Sequence, residues 1–244
     1  VAELPKLIRT LPLVEQRIHA ALAERRFNDT SRSGHLHMSQ IGKCERFLWA
    51  ELNGEKPDPP RERILVLFDH GHAVERHVLD LLDEAGYGVI SEGDDFGGQI
   101  RVSGFDGRLV GHLDGKISMM GEHDWSLLEI KSANTKQFEL LKEVGYEAWK
   151  PDYAAQIQMY MGYAQLPDAV VVVYSKENSE IYAERIRFDL SQFSELRRKA
   201  ERILDAESLP DRPAEAKSQY CKFCKYCDLG NWCWGPLAGV KFDD

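Results

Sequence analysis

Asp114, Glu129 and Lys131 lie in two short segments, GHLDG at 111–115 and LEIKSA at 128–133. Alternate side chains of a strand share a face, so Glu129 and Lys131 point one way and Ile130 the other. If the segments pair as a hairpin with Asp114 on that face, two carboxylates and an ammonium converge. Two carboxylates suit a hard divalent cation such as Mg²⁺ or Mn²⁺, which takes oxygen ligands and keeps several waters. A lysine beside them can orient or deprotonate an attacking water and offset the charge growing on a phosphate. A surface hairpin with a cross-strand salt bridge produces the same D…ExK spacing, so the pattern alone leaves both readings open.

The second reactive group is a set of thiols. YCKFCKYCDLGNWCW, at 220–234, holds Cys221, Cys224, Cys227 and Cys233, while the fifth cysteine, Cys44, is far upstream. The N-terminal stretch alternates charge with apolar residues at helical spacing and lacks the apolar block and cleavage site of a signal peptide. No apolar run approaches the roughly 20 residues of a membrane span. The expected setting is therefore cytoplasmic, with no membrane. In a reducing compartment a thiol cluster is expected to bind metal rather than form disulfides. All-thiolate ligation suits tetrahedral zinc or an iron–sulfur cluster, and the four C-terminal cysteines would make a zinc site without Cys44.

These residues need a scaffold. The chain has 244 residues, of which 43% are hydrophobic, enough for a real core in one large or two small domains. Its net charge of -9 argues against a non-specific nucleic-acid coat protein, so any DNA contact must be a local basic groove. Periodicity predicts helices at 4–27 (with Pro12 as a break or start), 38–54 (opened by Ser39, closed by Asn53-Gly54), 63–86, 135–145, 151–165 and 191–208 (capped by Ser191). Polar residues 27–35 and the proline-rich EKPDPPRER read as connectors. Strand character appears at 98–104 and at 107–120, which should pair with 125–133 across the turn GEHD. DAVVVVYSK, at 168–176, reads as a strand buried on both faces, and 179–189 as another. The order predicts an α/β fold with a mixed central sheet flanked by helices. The chain reads as a single domain: an N-terminal helical part at 1–62 with Cys44, a core at 63–208 and a cysteine-rich tail at 209–244.

Two more features sit beside the D…ExK pair. Gln156 and Tyr160 are four apart on the helix predicted at 151–165 and so share a face. Glu75 lies on the helix before the sheet, in FDHGHAVERHV. Together these elements resemble the PD-(D/E)XK nuclease superfamily, and within it the RecB-like branch, with its lambda-type phage exonucleases and CRISPR-associated RecB-like nucleases. The resemblance runs from about Ser39 to Trp234. It implies a restriction-endonuclease-like core in which Asp114 and Glu129 bind metal, Ile130 lends its backbone carbonyl and Lys131 is the catalytic lysine. Gln156 and Tyr160 match the Q-x3-Y element that positions substrate and supports the lysine. Many RecB-like members place a histidine four residues after the helix glycine, where this chain has Glu75; lambda-type exonucleases have a glutamate there. Glu75 is thus the preferred third metal ligand, with His72 the next candidate. In the iron–sulfur members a cysteine near an arginine, here Cys44 and Arg46, joins a C-x2-C-x5-C triplet. Cys44, Cys224, Cys227 and Cys233 match that set for a 4Fe-4S cluster, with Zn²⁺ as the alternative and Cys221 left over.

The expected function is a Mg²⁺- or Mn²⁺-dependent deoxyribonuclease, an exonuclease acting on single-stranded DNA or free ends in recombination or repair, phage-encoded or prokaryotic. The alternative is a non-catalytic iron–sulfur or zinc module that binds DNA or a partner. Trp232 and Trp234 are expected either to stack on bases or to pack in the core.

Overall fold

The structure, a computed structural model, describes residues 12–27, 34–55, 62–93, 98–118 and 124–235. Parts of five expectations fall outside those residues: 4–11 of the first helix, 28–33 of the polar loop, 56–61 of the proline-rich connector, 119–123 of the hairpin strand and turn, and 236–244 of the tail. The fold is mixed α/β, with two sheets flanked by helices. No described helix is long and apolar enough to cross a membrane.

The N-terminal part supplies α1 (Pro12–Phe27), β1 (Leu36–His37), a short 3₁₀ turn at Met38–Gln40, α2 (Glu45–Leu52) and α3 (Glu62–Glu84). The strands β2 (Gly88–Ile90), β3 (Ile100–Gly104), β4 (Leu109–Leu113), β5 (Gly115–Ser118) and β6 (Trp125–Ala133) follow. A helical crossover of α4 (Thr135–Val144), α5 (Tyr146–Trp149) and α6 (Pro151–Ala164) leads to β7 (Asp168–Ser175), β8 (Ile181–Arg187) and α7 (Leu190–Leu204). The short α8 (Gly230–Trp234) closes the cysteine tail.

The larger sheet has the order β2-β5-β6-β7-β8. Its β6–β7 pair is parallel and the others antiparallel. A parallel pair cannot be joined by a tight turn, and the three helices between β6 and β7 provide the long connection it needs. The smaller sheet, β1-β4-β3, pairs β4 parallel to β1 and antiparallel to β3.

Both faces of β6 and β7 are covered, as the apolar run of β7 predicted. Leu127, Ala133, Ala169, Val171 and Val173 join the main core, and Leu128, Ile130, Val170 and Val172 join a second core with Val74 and Val78 of α3. Helix α6 is buried all round from Ala154 to Met161. It therefore has no polar face, and its two buried glutamines need dedicated partners. Gln158 finds them by donating to the Arg187 carbonyl at 3.0 Å and accepting from the Asp189 N–H at 2.9 Å.

Three local expectations change. The strand expected at 107–120 is broken at Asp114: β4 belongs to the small sheet and β5 to the large one, so only 115–118 pair with β6. The helix expected at 38–54 begins at Glu45, and Ser39 lies in the 3₁₀ turn; Cys44 is the cap, its sulfur accepting from the Phe47 N–H at 3.4 Å. Helix α7 is capped by Asp189 rather than Ser191, because a carboxylate just before the helix reaches both the Ser191 and Gln192 N–H groups, at 2.8 and 3.1 Å.

Candidate active site

The break at Asp114 sets the geometry. Its side chain leaves the fork between the two sheets, where β4 and β5 part, and accepts from the Ile130 N–H at 2.8 Å. That bond ties the fork to β6 just where Glu129 and Lys131 emerge. Strand alternation holds: Glu129 and Lys131 form an ion pair on one face, while the Ile130 side chain packs on the other in the rear core.

Glu129 is fully buried. One oxygen, Oε1, is held by Lys131 and accepts from Gln156 Nε2 at 2.8 Å. The other, Oε2, is buried with no hydrogen-bond partner. Burial raises the Glu129 carboxyl pKa; Lys131 opposes the rise, and the charges of Asp114 and Glu75 add to it. Burial pulls Lys131 down, but Glu129 and then Asp114 outweigh it and hold the ammonium well above its ordinary range. Glu75 reaches the group from α3, and burial followed by the Asp114 charge raises it too. It accepts from Gln99 Nε2 at 3.4 Å, and its other oxygen is 3.7 Å from His72 Nδ1.

Helix α6 supports this cluster. Gln156 grips Glu129, and Tyr160, one turn on, is buried with its hydroxyl hydrogen-bonded to the backbone of His112 in β4. The Tyr160 ring lies so close to Gly111 that a Cβ there would sit 2.5 Å from Cε1. The glycine of GHLDG is thus the space that lets α6 meet the strand leading to Asp114. The sequence reading missed two neighbours. Tyr153 lies under Lys131, whose Nζ is 5.2 Å from the ring centroid. Tyr146 is fully buried and its hydroxyl has no hydrogen-bond partner; burial and then the Glu129 charge raise its pKa. Neither has a spacing signal, because both arrive through the crossover helices.

Among the described residues, no three or more His, Cys, Asp or Glu side chains are placed together so as to hold a metal ion. The donor set nevertheless fits a divalent cation. Asp114, Glu129 and Glu75 feel one another's charge, two of them have raised proton affinity, and one of those carries a buried oxygen with nothing to bind. An unpaired buried anionic oxygen costs free energy that a cation would offset.

Four of the thiols, Cys44, Cys224, Cys227 and Cys233, line a separate open cavity of ≈ 340 Å³. Arg46 Nε donates to Cys233 Sγ at 3.2 Å, and its Nη1 donates to the Pro210 carbonyl at 2.8 Å, so α2 is pinned to the tail. Lys199 of α7 donates to the Ile41 carbonyl at 2.7 Å and also to that of Lys43, holding the loop before Cys44. The Cys221 thiol is not part of that lining; it lies 3.5 Å from the Glu215 carbonyl and within hydrogen-bond reach of Cys224. Trp232 packs against the main core, and Trp234 lies under the Arg212 guanidinium at 4.3 Å. The tail's most exposed aromatics are others: Tyr220 and Tyr226.

No protein-family model and no curated protein matches the chain. Solved structures do match. LHK-Exo, an alkaline exonuclease from Laribacter hongkongensis, aligns with a TM-score of 0.53 at 19% identity, covering 71% of this chain and 88% of that one. Its complex with dAMP aligns at 0.54 with the same identity and coverage. The structure of SSO0001 aligns at 0.55 with 13% identity, covering 93% of this chain and 98% of that one. The chain shares its fold with these proteins.

Proposed function

We propose that the chain is a Mg²⁺- or Mn²⁺-dependent deoxyribonuclease of the RecB-like branch of the PD-(D/E)XK superfamily, acting as an exonuclease on single strands or free DNA ends. The observation that carries this reading is the buried, unpartnered Glu129 Oε2 beside Asp114 and Glu75, with Lys131 adjacent. The shared fold with an alkaline exonuclease supports it. Asp114, Glu129, Glu75 and the Ile130 carbonyl would hold the cation. When bound, it would act as a Lewis acid on the scissile phosphate.

The chain's own residues supply the rest. Gln156 keeps Glu129 oriented through one oxygen, which frees the other for ligation. Lys131 stays protonated against its buried carboxylate neighbours and presents N–H donors to the attacking water and the phosphate. Tyr160 ties α6 to the strand that leads to Asp114. Cys44, Cys224, Cys227 and Cys233 are proposed to hold a 4Fe-4S cluster. A lining that includes Cys44 and leaves out Cys221 favours this set over a local zinc site built from the four tail cysteines. The whole chain is read as one nuclease domain, with this centre joining its N-terminal part to its tail.

Incubating anaerobically purified protein with end-labelled single- and double-stranded DNA tests the proposal. Products should appear with Mg²⁺ or Mn²⁺ and vanish with EDTA. Binding without cleavage of either substrate under all these conditions would make the protein a binding module instead.

The raised carboxylates also set a pH dependence. A carboxyl with raised proton affinity makes a cation compete with its proton, which weakens ligation progressively as the pH falls. The acid limb of the cleavage profile should therefore lie above the ordinary glutamate value of 4.5. In Glu75→Gln the residual activity should show that limb moved to lower pH, since one neighbouring negative charge is gone. An unmoved limb would remove Glu75 from the cluster.

A further inference from the structure

The cysteine segment winds in successive turns with a period of three. The N–H of Cys221 donates to the Ser218 carbonyl, that of Cys224 to Cys221, that of Cys227 to Cys224 and that of Gly230 to Cys227. Residues three apart in such a winding lie above one another. In YCKFCKYC the thiols are half-buried at every third position, while the aromatic row Tyr220, Phe223 and Tyr226 and the lysines Lys222 and Lys225 are exposed. The aromatic row is solvent-facing, with Tyr220 84%, Phe223 48% and Tyr226 82% exposed. Large aromatics so exposed on a folded domain mark an interaction surface.

We propose that this aromatic row, flanked by Lys222 and Lys225, is a stacking surface for single-stranded DNA leading to the catalytic carboxylates. It deepens the nuclease reading, on which it rests, by naming the strand form and its path. Charge complementarity selects the occupant. The chain carries a net charge of -9, yet from Ala216 to Cys227 it has three lysines, Lys217, Lys222 and Lys225, and no carboxylate. Lys225 Nζ sits 5.0 Å from the Tyr226 ring centroid, so cation and ring present one combined face. Aromatic rings beside lysines bind bases by stacking and phosphates by charge, whatever the sequence. A duplex hides its base faces and would leave the rings unused.

Position supports the path. Lys222, Phe223 and Tyr226 line the thiol cavity together with Asp152 of α6. The next residue on that helix, Tyr153, is the ring under Lys131. Close packing fixes this junction: a Cβ on Gly42 would lie 2.6 Å from the Asp152 Cα. The row therefore borders the thiol cavity, one wall of which is the start of the helix that carries Tyr153.

Fluorescence anisotropy with labelled oligo-dT, in EDTA so that nothing is cut, tests the proposal apart from catalysis. Tyr220→Ser and Tyr226→Ser should each weaken oligo-dT binding by roughly five- to a hundredfold. Tyr226→Phe should bind like the wild type. The two Ser variants should keep the wild-type dependence on salt, whereas Lys222→Gln and Lys225→Gln should each lower the slope of log K against log salt by about 0.7. Blunt duplex binding should change little in the tyrosine variants. Wild-type oligo-dT binding by both Ser variants, an equal loss on duplex, or loss of a co-purifying protein instead of DNA would overturn the proposal. Absence of cleavage when Mg²⁺ is restored would defeat the nuclease reading and leave this surface standing.

Discussion

Asp114→Asn and Glu129→Gln are each expected to reduce DNA cleavage by roughly a thousandfold or more, about 4 kcal/mol of transition-state stabilisation. Both substitutions keep shape and remove charge. The introduced asparagine can still accept from the Ile130 N–H through its side-chain oxygen, and the introduced glutamine can still accept from Gln156. The fork between the sheets and the grip of α6 should therefore survive; Asp114→Asn should melt close to the wild type, and Glu129→Gln somewhat lower because Lys131 loses its countercharge. What is lost is anionic oxygen in the cluster where Glu129 Oε2 is buried without a partner. Isothermal titration with Mn²⁺ should show the same loss without reference to activity. Near-normal cleavage by either variant would sink the proposed mechanism. Lys131→Ala should behave differently, lowering turnover of bound DNA more than affinity, because its donors act on groups whose charge changes during the reaction.

Cys44→Ala is expected to have the second large effect, on stability and colour. A cluster held by Cys44 and the tail would close a loop of 180 residues between Cys44 and Cys224. By the entropy argument used for disulfides, such a closure contributes about 5 kcal/mol. In a domain of this size that corresponds to a fall of roughly 10 °C or more in melting temperature. Anaerobically purified wild type should be brown, Cys44→Ala colourless and less stable, and Cys221→Ala unchanged in both respects, since its thiol does not line the cavity. A colourless wild type carrying one zinc that Cys44→Ala does not release would replace the cluster with a local four-cysteine site. Arg46 offers a milder check. It spans Cys233 Sγ and the Pro210 carbonyl, so Arg46→Ala should loosen the tail without removing a thiol.

Parts of this architecture were legible because they depend on neighbours in sequence. The face shared by Glu129 and Lys131 follows from the pleat of one strand, and that of Gln156 and Tyr160 from one turn of one helix. The double burial of β7 was visible in its apolar run. Caps were less legible. Cys44 caps α2 with sulfur, a weak acceptor outside the usual capping residues, so Ser39 looked like the better start. For α7, Asp189 and Ser191 are both good caps two residues apart, and only the chain's path from β8 selects between them.

Local periodicity set which groups are available and how they face within each element: carboxylate and lysine on one side of a strand, glutamine and tyrosine on one side of a helix. Tertiary structure alone decided what those groups meet. The strand through Asp114 splits because its two halves find different partners, and no local pattern encodes which sheet each half joins. Tyr146 and Tyr153 reach Lys131 because the parallel β6–β7 pair forces a helical crossover over that face. Arg46 meets Cys233 across 187 positions because α2 and the tail pack on the same flank of the core. Local geometry is set by backbone sterics over a few residues, whereas these meetings arise when distant surfaces bury one another, and burial depends on every element present at once.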